Sequence, residues 1–326
     1  MVRVLGPCPV NGAGPGPRPV RRVAVIGATG CMGRQITGAF AARGTEVVAI
    51  ARRYASHVAA HRFLALDAAH ASGAELAELL AAERVDAVVN ATLGWGEELR
   101  STNVQLAERL VDALKRTPGS PRLVHLGTIH EYGPVPWGTS IDEEVPPRPQ
   151  QPYPASKLVA AGLVLDAARA GEVDGVVLRL TNTIGPHPAA ESFFGSLAAR
   201  LGDDRGPIDL TVAEAHRDYV DSRDAAEAVV RAAETPSAQG VFNIGTGRAL
   251  DIRTLVAALV RAAGGPRERV REHAGAVSSR GADWIQVDST RARRLLGWSP
   301  RYSLEASMRA MWETVRTESL RPGGAL

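Results

Sequence analysis

The sequence predicts an α/β protein: a doubly wound parallel sheet with a smaller, discontinuous C-terminal lobe. Three observations predict it. From Arg22 onward, short apolar runs alternate with longer stretches of helical length and periodicity. The runs are almost continuously apolar, as in strands buried on both faces. A glycine-punctuated turn follows the first of them directly.

Taken in order, residues 1–20, "MVRVLGPCPVNGAGPGPRPV", carry glycine and proline where a secretion signal would need an unbroken apolar stretch. They read as a disordered tail. "RVAVIG", "EVVAI", "RFLAL", "DAVVNA", "RLVHLG" and "GVVLRL" then read as strands, rich in Val, Leu and Ile. Between them, segments such as 97–116 and 155–170 read as helices. Beyond residue 180 the alternation loosens into segments broken by glycine and proline, with further helices. The expected division is a sheet domain of 21–180 plus about 218–245, and a lobe of about 181–217 plus 246–318. There is no internal repeat.

Composition narrows the classes. An apolar share of 45%, a charged share of 22% and a net charge of +3 are ordinary for a soluble protein. No block of Lys and Arg and no interleaving of basic with aromatic residues points to nucleic acid, so that partner is not expected. No run approaches the ~18 apolar residues of a membrane span, so no membrane association is expected either. Two cysteines, Cys8 and Cys31, cannot build a disulfide framework, and read as free thiols in a reducing cytoplasm. His57 and His61 in "HVAAH" have metal-like spacing but lack the intervening Glu of a zinc protease, and no metal is expected.

"VAVIGATGCMGRQITGAFAARG" places Gly27, Gly30 and Gly33 between the first strand and a helix, with Thr29, Cys31 and Met32 among them. Such a turn needs glycine's backbone freedom, and the chain must approach a pyrophosphate closely. The helix N-terminus then offers N–H groups and a favourable dipole. A dinucleotide is therefore the expected cofactor. The second strand ends in "ARR". NAD calls for Asp or Glu about there to hold the ribose 2′-hydroxyl, whereas arginine accommodates a 2′-phosphate. Arg52 and Arg53 fill the place and no acid does, so NADP(H) is expected.

"QQPYPASKLVAAG" contains Tyr153 and Lys157, which a helix would stack on one face about 5–6 Å apart at Cβ. An ammonium there would stabilise phenolate and lower the tyrosine pKa from its usual value near 10. Its donors also suit ribose hydroxyls. Of 38 basic side chains only Lys115 and Lys157 are lysine, which argues against an incidental pair.

Tyr-x-x-x-Lys combined with the glycine loop resembles an extended short-chain dehydrogenase/reductase with a Rossmann-type fold. The likeness is to the NAD(P)-dependent epimerase/dehydratase family acting on nucleotide sugars, over roughly residues 22 to 315. Further matches are Asn103 in "STNVQLAERL", Asn182 in "LRLTNTIGPH", "HRDYVDSRDAAEAV" from His216, "FNIGTG" and "LGWSPRYSLEASM". The resemblance implies that Asp67, after the third strand, lies near the adenine amino group and that Ala91 belongs to the cofactor set. It implies that Arg217 contacts the substrate diphosphate and that Asn182 lies along the sugar-diphosphate path. In "LGTIHEYG" it gives Thr128 the hydroxyl that hydrogen-bonds the reacting oxygen, and Tyr132 a packing role.

Ile129 and His130 depart from the family's patterns. Related 4,6-dehydratases carry Asp-Glu there, and combined epimerase-reductases carry cysteine at the position of His130. Dehydration thus lacks its usual groups. His130 reads as a pocket-lining, hydrogen-bonded residue, with a lone acid/base as its alternative. Glu131 reads as structural, pointing the other way along a strand. The function implied is an NADPH-dependent ketoreductase acting on a keto group, at C4, of a dTDP-linked deoxysugar, with Thr128, Tyr153 and Lys157 catalytic. A nucleotide-sugar epimerase using the same residues is the alternative. A non-catalytic dinucleotide-sensing regulator would have little need of those three together. The resemblance also implies a homodimer.

Overall fold

Seven runs dominated by Val, Ile, Leu and Ala pair in parallel into one sheet. They are β1 (Arg22–Ile26), β2 (Glu46–Ala51), β3 (Arg62–Ala65), β4 (Ala87–Asn90), β5 (Arg122–Thr128), β6 (Gly175–Leu180) and β7 (Gly240–Ile244). Their order is β7-β6-β5-β4-β1-β2-β3. The structure, a computed structural model, describes residues 18–203, 206–265, 269–273 and 281–319. Strands β5 and β6 are buried along their whole length, as the unbroken apolar runs demand of strands covered on both faces.

The helices are α1 (Cys31–Ala41), α2 (Gly73–Glu83), α3 (Leu106–Arg116), α4 (Pro152–Arg169), α5 (Phe193–Gly202), α6 (Ser222–Glu234), α7 (Ile252–Ala262), α8 (Thr290–Leu296) and α9 (Leu304–Ser319). One face of the sheet is covered by α1 and α6, where Ile36, Phe40 and Val229 meet Val25 and Val124. The other face is covered by α2, α3 and α4 through Leu76, Leu110 and Val164. Local chemistry starts the helices where they begin: Ser72 and Glu75 form a reciprocal capping box on α2. Asp221 and Asp251 cap α6 and α7.

Of the expected disordered tail, residues 1–17, with Cys8, lie outside the described residues. Residues 18–20 belong to the fold: the Arg18 N–H donates to the Glu234 carbonyl at 2.7 Å, and Val20 is buried. The stretch expected as one helix over 97–116 is a 3₁₀ turn (Gly96–Glu98), a π turn (Arg100–Gln105) and then α3. The π turn carries Asn103, whose amide is buried and clamps Gly94 from both its N–H and its carbonyl.

The lobe has its own apolar core, in which Phe194, Leu197, Leu255, Leu259, Met308 and Met311 meet. It is tied to the sheet by a parallel pair, Asn182–Ile184 with Tyr219–Asp221. Two buried aspartates fasten the segments between. Asp218 accepts the backbone N–H of Thr246 and Gly247, which explains the spacing of "HRDYV" and "FNIGTG". Asp224 accepts the N–H of Arg301 and Tyr302, while Trp298, buried, donates its indole N–H to the Asp224 carbonyl. Among the described residues no helix is long and apolar enough to cross a membrane.

The strand order reverses between β4 and β1, so the loops leaving their carboxyl ends part and open a crevice. Gly27, at φ +84°, stands at its edge, where a Cβ would lie 3.0 Å from the Ala91 carbonyl oxygen. A Cβ on Gly33 would lie 2.1 Å from the Gly27 oxygen and 2.8 Å from the Ala28 Cα, so only glycine lets α1 start this close to β1.

Gly33→Ala is therefore expected to cost about 2 kcal/mol or more through backbone displacement. Gly38→Ala on the same helix meets open space and is expected to be neutral or to stabilise by about 0.5–1 kcal/mol. Urea midpoints of both variants check the contrast; equal effects would sink it.

Candidate active site

Strand β5 delivers Thr128 to the carboxyl edge of the sheet, where the chain turns into a short 3₁₀ helix, Ile129–Tyr132. Glu131 lies on that turn rather than on a strand, and the turn folds its carboxylate back beneath Thr128. The carboxylate accepts the Thr128 N–H at 2.8 Å and Arg179 Nε at 2.7 Å, and it is fully buried. Gly127 makes room for it, since a Cβ there would lie 2.6 Å from Glu131 Oε1. Burial pushes the Glu131 carboxyl up, and the Arg179 guanidinium pulls it back down. Tyr132 is buried under that guanidinium and donates to Asn243 Oδ1 at 2.9 Å, a packing role.

Helix α4 opens with Pro152 and carries Tyr153 and Lys157 one turn apart. Ser156 Oγ donates to the Tyr153 carbonyl at 2.7 Å and accepts from Asn103 Nδ2 at 3.0 Å, which locks the helix start to the loop after β4. The Lys157 ammonium donates to the Thr92 carbonyl at 3.3 Å. Burial pushes it down to about 8, and the Glu131 carboxylate opposes that. The Tyr153 phenol is pushed far up, first by burial and then by Glu131, with the Thr128 hydroxyl beside it opposing the shift. This corrects the expectation that Lys157 sets a depressed tyrosine pKa: in this structure desolvation and a neighbouring anion set the shift, and it is upward. Trp95 stacks on the Tyr153 ring, centroids 4.2 Å apart and 28° from parallel.

Facing this corner are His130, on the turn itself, and Asn182 and Arg217 from the lobe. His130 Nε2 lies 3.2 Å from Asn182 Oδ1. Burial, with a smaller contribution from Arg217, pushes the imidazole down against the Asn182 hydrogen bond, so it is neutral. Asn182 Nδ2 is buried with no acceptor among the described residues, an amide donor left for something that enters the cleft. Arg217 is backed by the carbonyls of Ala282 (2.8 Å) and Gly281 (3.0 Å). The adjoining cleft, about 240 Å³, is lined by Ile129, His130, Gln151, Pro154, Gly281 and Asp283 among others.

The cofactor candidates gather along the crevice. Gly30 caps α1 with no side-chain hydrogen bond, leaving its first turn of N–H groups for an anion. Thr29 is half-buried in the turn. Cys31 donates its thiol to the His187 carbonyl at 3.1 Å, and burial pushes that thiol up. Met32 packs into the sheet core. Ala91 donates its N–H to the Ile26 carbonyl at 3.0 Å, directly across from Gly27. Asp67 follows β3, where it accepts the Ala69 N–H and pairs with His70 at 2.9 Å. At the end of β2, Arg53 is exposed, and Arg52 is paired with Glu98 at 2.7 Å. His57 reaches the Ala28 carbonyl at 3.3 Å; among the described residues no three His, Cys, Asp or Glu side chains are arranged to hold a metal. A glycine cradle that a Cβ would fill, an uncapped helix start and a buried lysine fit a dinucleotide.

The sequence reading missed Arg179, Trp95 and Glu98. The second and third stand in "GWGEE", whose local signal is only a glycine-flanked aromatic and two acids.

Comparison with known proteins places this geometry. The NAD dependent epimerase/dehydratase family description matches residues 23–245. The chain is 41% identical over 305 residues to a dTDP-6-deoxy-L-talose 4-dehydrogenase (NAD(P)(+)) from Kitasatospora kifunensis, covering 91% of this chain and 96% of that one. It is 29% identical over 221 residues to a GDP-6-deoxy-D-mannose reductase from Pseudomonas aeruginosa, covering 64% and 72%. A crystal structure of a putative epimerase from Burkholderia cenocepacia J2315 superimposes with a TM-score of 0.80 at 26% identity, covering 92% and 99%.

The buried pair under Thr128 predicts a measurable asymmetry. Arg179→Met strands the Glu131 charge and is expected to cost about 3–5 kcal/mol at pH 7. Adding Glu131→Gln is expected to recover part of the loss. Without Arg179 the folded-state pKa of Glu131 rises further above its unfolded value, so the folded state binds the extra proton. The deficit relative to wild type should therefore shrink as pH falls toward 5 and grow as pH rises. Denaturant midpoints across pH check this, and a pH-independent deficit would contradict it.

Proposed function

The chain belongs to the NAD dependent epimerase/dehydratase family, and from that premise we propose that it is an NADP(H)-using reductase of a C4 keto group on a dTDP-linked 6-deoxyhexose. One observation carries the reading: Tyr153 and Lys157 stand one turn apart on α4, with Thr128 of β5 beside the phenol, at the edge of a dinucleotide crevice. The NAD dependent family together with a dehydrogenase relative of this identity supports an NAD(P)-dependent oxidoreductase. The Kitasatospora relative supports the sugar and the carbon, since its name places its oxidation at C4 of a dTDP-6-deoxyhexose. Reduction and oxidation there are one hydride transfer run in two directions, and the proposed direction is reduction.

The bound nicotinamide supplies the hydride. The chain's own residues do the rest. The Tyr153 O–H delivers its proton to the carbonyl oxygen as that oxygen becomes an alkoxide. The Thr128 hydroxyl, fixed by its strand and by the turn beneath it, donates to the same oxygen. The Lys157 ammonium offsets the phenolate charge and holds ribose hydroxyls. Asn182 and Arg217 orient the sugar and the diphosphate, and the neutral His130 shapes the wall between them. Arg52 and Arg53 support NADP(H). Dehydration would need an acid and base where Ile129 and His130 stand.

Incubation with NADPH and a panel of nucleotide keto- and hydroxy-sugars tests the proposal. Stoichiometric NADPH loss with a dTDP-4-keto-6-deoxyhexose is expected; a change of sugar configuration with no net NADPH consumption would mean epimerisation instead.

In single-turnover hydride transfer, Tyr153→Phe is expected to lose about 10²–10⁴-fold. Thr128→Val is expected to lose about 10²–10³-fold. The wild-type rate should fall as pH rises through about 8, where Lys157 gives up its charge. That limb should be absent from the residual activity of Lys157→Met. Near-native rates in Tyr153→Phe would end the assignment.

A further inference from the structure

The strand that should carry an NAD-selecting acid ends in two arginines, yet a carboxylate stands there all the same. Glu98 comes from the turn after β4, Arg52 directly follows β2, and the glycine loop after β1 lies between them, because the sheet runs β4-β1-β2. Glu98 Oε1 and Arg52 Nη1 meet at 2.7 Å, an ion pair thrown across the dinucleotide crevice. It is placed by a built loop. Asn103 grips both polar groups of Gly94, Ser101 Oγ donates to the Glu98 carbonyl at 3.1 Å, and a Cβ on Gly94 would lie 2.6 Å from that same carbonyl oxygen.

We propose that Glu98 is a cofactor-selecting residue. It supplies, from the opposite lip of the crevice, the ribose-hydroxyl acceptor that β2 lacks, and it surrenders Arg52 when a 2′-phosphate arrives. The enzyme thereby takes NAD(H) as well as NADP(H). This rests on the reading that Arg52 receives the 2′-phosphate. Both side chains are about half exposed, and exposed pairs of this kind are held only weakly, so the pair opens readily. A phosphate dianion offers the arginine fork a bidentate, doubly charged partner in place of one carboxylate. With NAD(H) no such competitor exists. A carboxylate has about four lone-pair sites, so Glu98 accepts a ribose hydroxyl while still holding Arg52. The acid and the base that families of this kind place alternately at one position are here present together, on two loops.

Equilibrium binding of NADH and NADPH to the full chain, without sugar and followed by nicotinamide fluorescence, tests this. Glu98→Gln is expected to weaken NADH by about fivefold to tenfold while leaving NADPH unchanged or tightening it about twofold, the scale of one charge-assisted hydrogen bond partly screened by water. Arg52→Gln is expected to weaken NADPH by about tenfold or more and to leave NADH within about twofold. Glu98→Asp should regain part of the NADH affinity. Thermal melts of all variants should match wild type, since both positions face solvent. If Glu98→Gln moves both cofactors equally or neither, the selecting role is overturned, even where Arg52→Gln still discriminates. If instead Arg52→Gln fails to discriminate, the assignment of the 2′-phosphate to Arg52 falls, separately from the result at Glu98.

Discussion

A carboxylate with no solvent exposure, bonded to one arginine and one backbone N–H, is the interaction on which the catalytic corner depends. An apolar pair of similar volume in place of Glu131 and Arg179 would cost the fold little, since buried ion pairs seldom repay their desolvation. What the pair supplies is electrostatic. Glu131 disfavours phenolate at Tyr153 and favours ammonium at Lys157. The anion adds to burial in keeping Tyr153 protonated and opposes burial in keeping Lys157 charged, the states that the proposed reduction requires. Arg179 keeps that anion charged against the burial that would neutralise it. The same carboxylate accepts the Thr128 N–H, so the hydroxyl proposed to meet the substrate is anchored by the group beside the proposed acid.

A second constraint is the closeness of α1 to β1. Gly33 permits it, and the crevice exists because β4 and β1 are neighbours whose following loops diverge. The lobe is then held at a fixed distance from this crevice by backbone-accepting aspartates, Asp218 and Asp224. Their hydrogen bonds join segments far apart in sequence. Arg217, next to Asp218, inherits its position from that clasp.

What was legible in the sequence was what local spacing encodes. The three glycines have meaning only in a strand-turn-helix context, and that context is contiguous. Tyr153 and Lys157 share a helix face by periodicity alone. Thr128 came from the resemblance alone, since no local spacing marks its hydroxyl. The features that escaped are those that topology makes. Glu98 meets Arg52 because of a strand order that no local pattern encodes. Arg179 meets Glu131 because β5 and β6 pair in a register that sets Thr128 beside Leu180. Glu131 was expected along a strand, but Thr128 caps a turn that reverses the side chain. The depressed tyrosine pKa failed for a related reason: spacing shows the ammonium, whereas desolvation and a third charge are properties of the packed site.

His130 shows how the corner separates redox chemistry from proton abstraction. Its Nε2 faces the Asn182 amide oxygen, which places the proton on Nε2 and leaves the lone pair on Nδ1. Burial and the nearby Arg217 hold the ring neutral, so it has no proton to give at neutral pH beyond the one shared with Asn182. Gly281 closes on the ring edge, where a Cβ would lie 2.8 Å from His130 Cε1. A base that abstracted a proton from a sugar carbon would need its lone pair directed at the substrate and room to become a cation beside Arg217. Burial and Arg217 both oppose that cation. On the proposed reading Tyr153 is the proton donor, and a single donor suits adding or removing hydride at a carbonyl rather than shifting protons between neighbouring carbons.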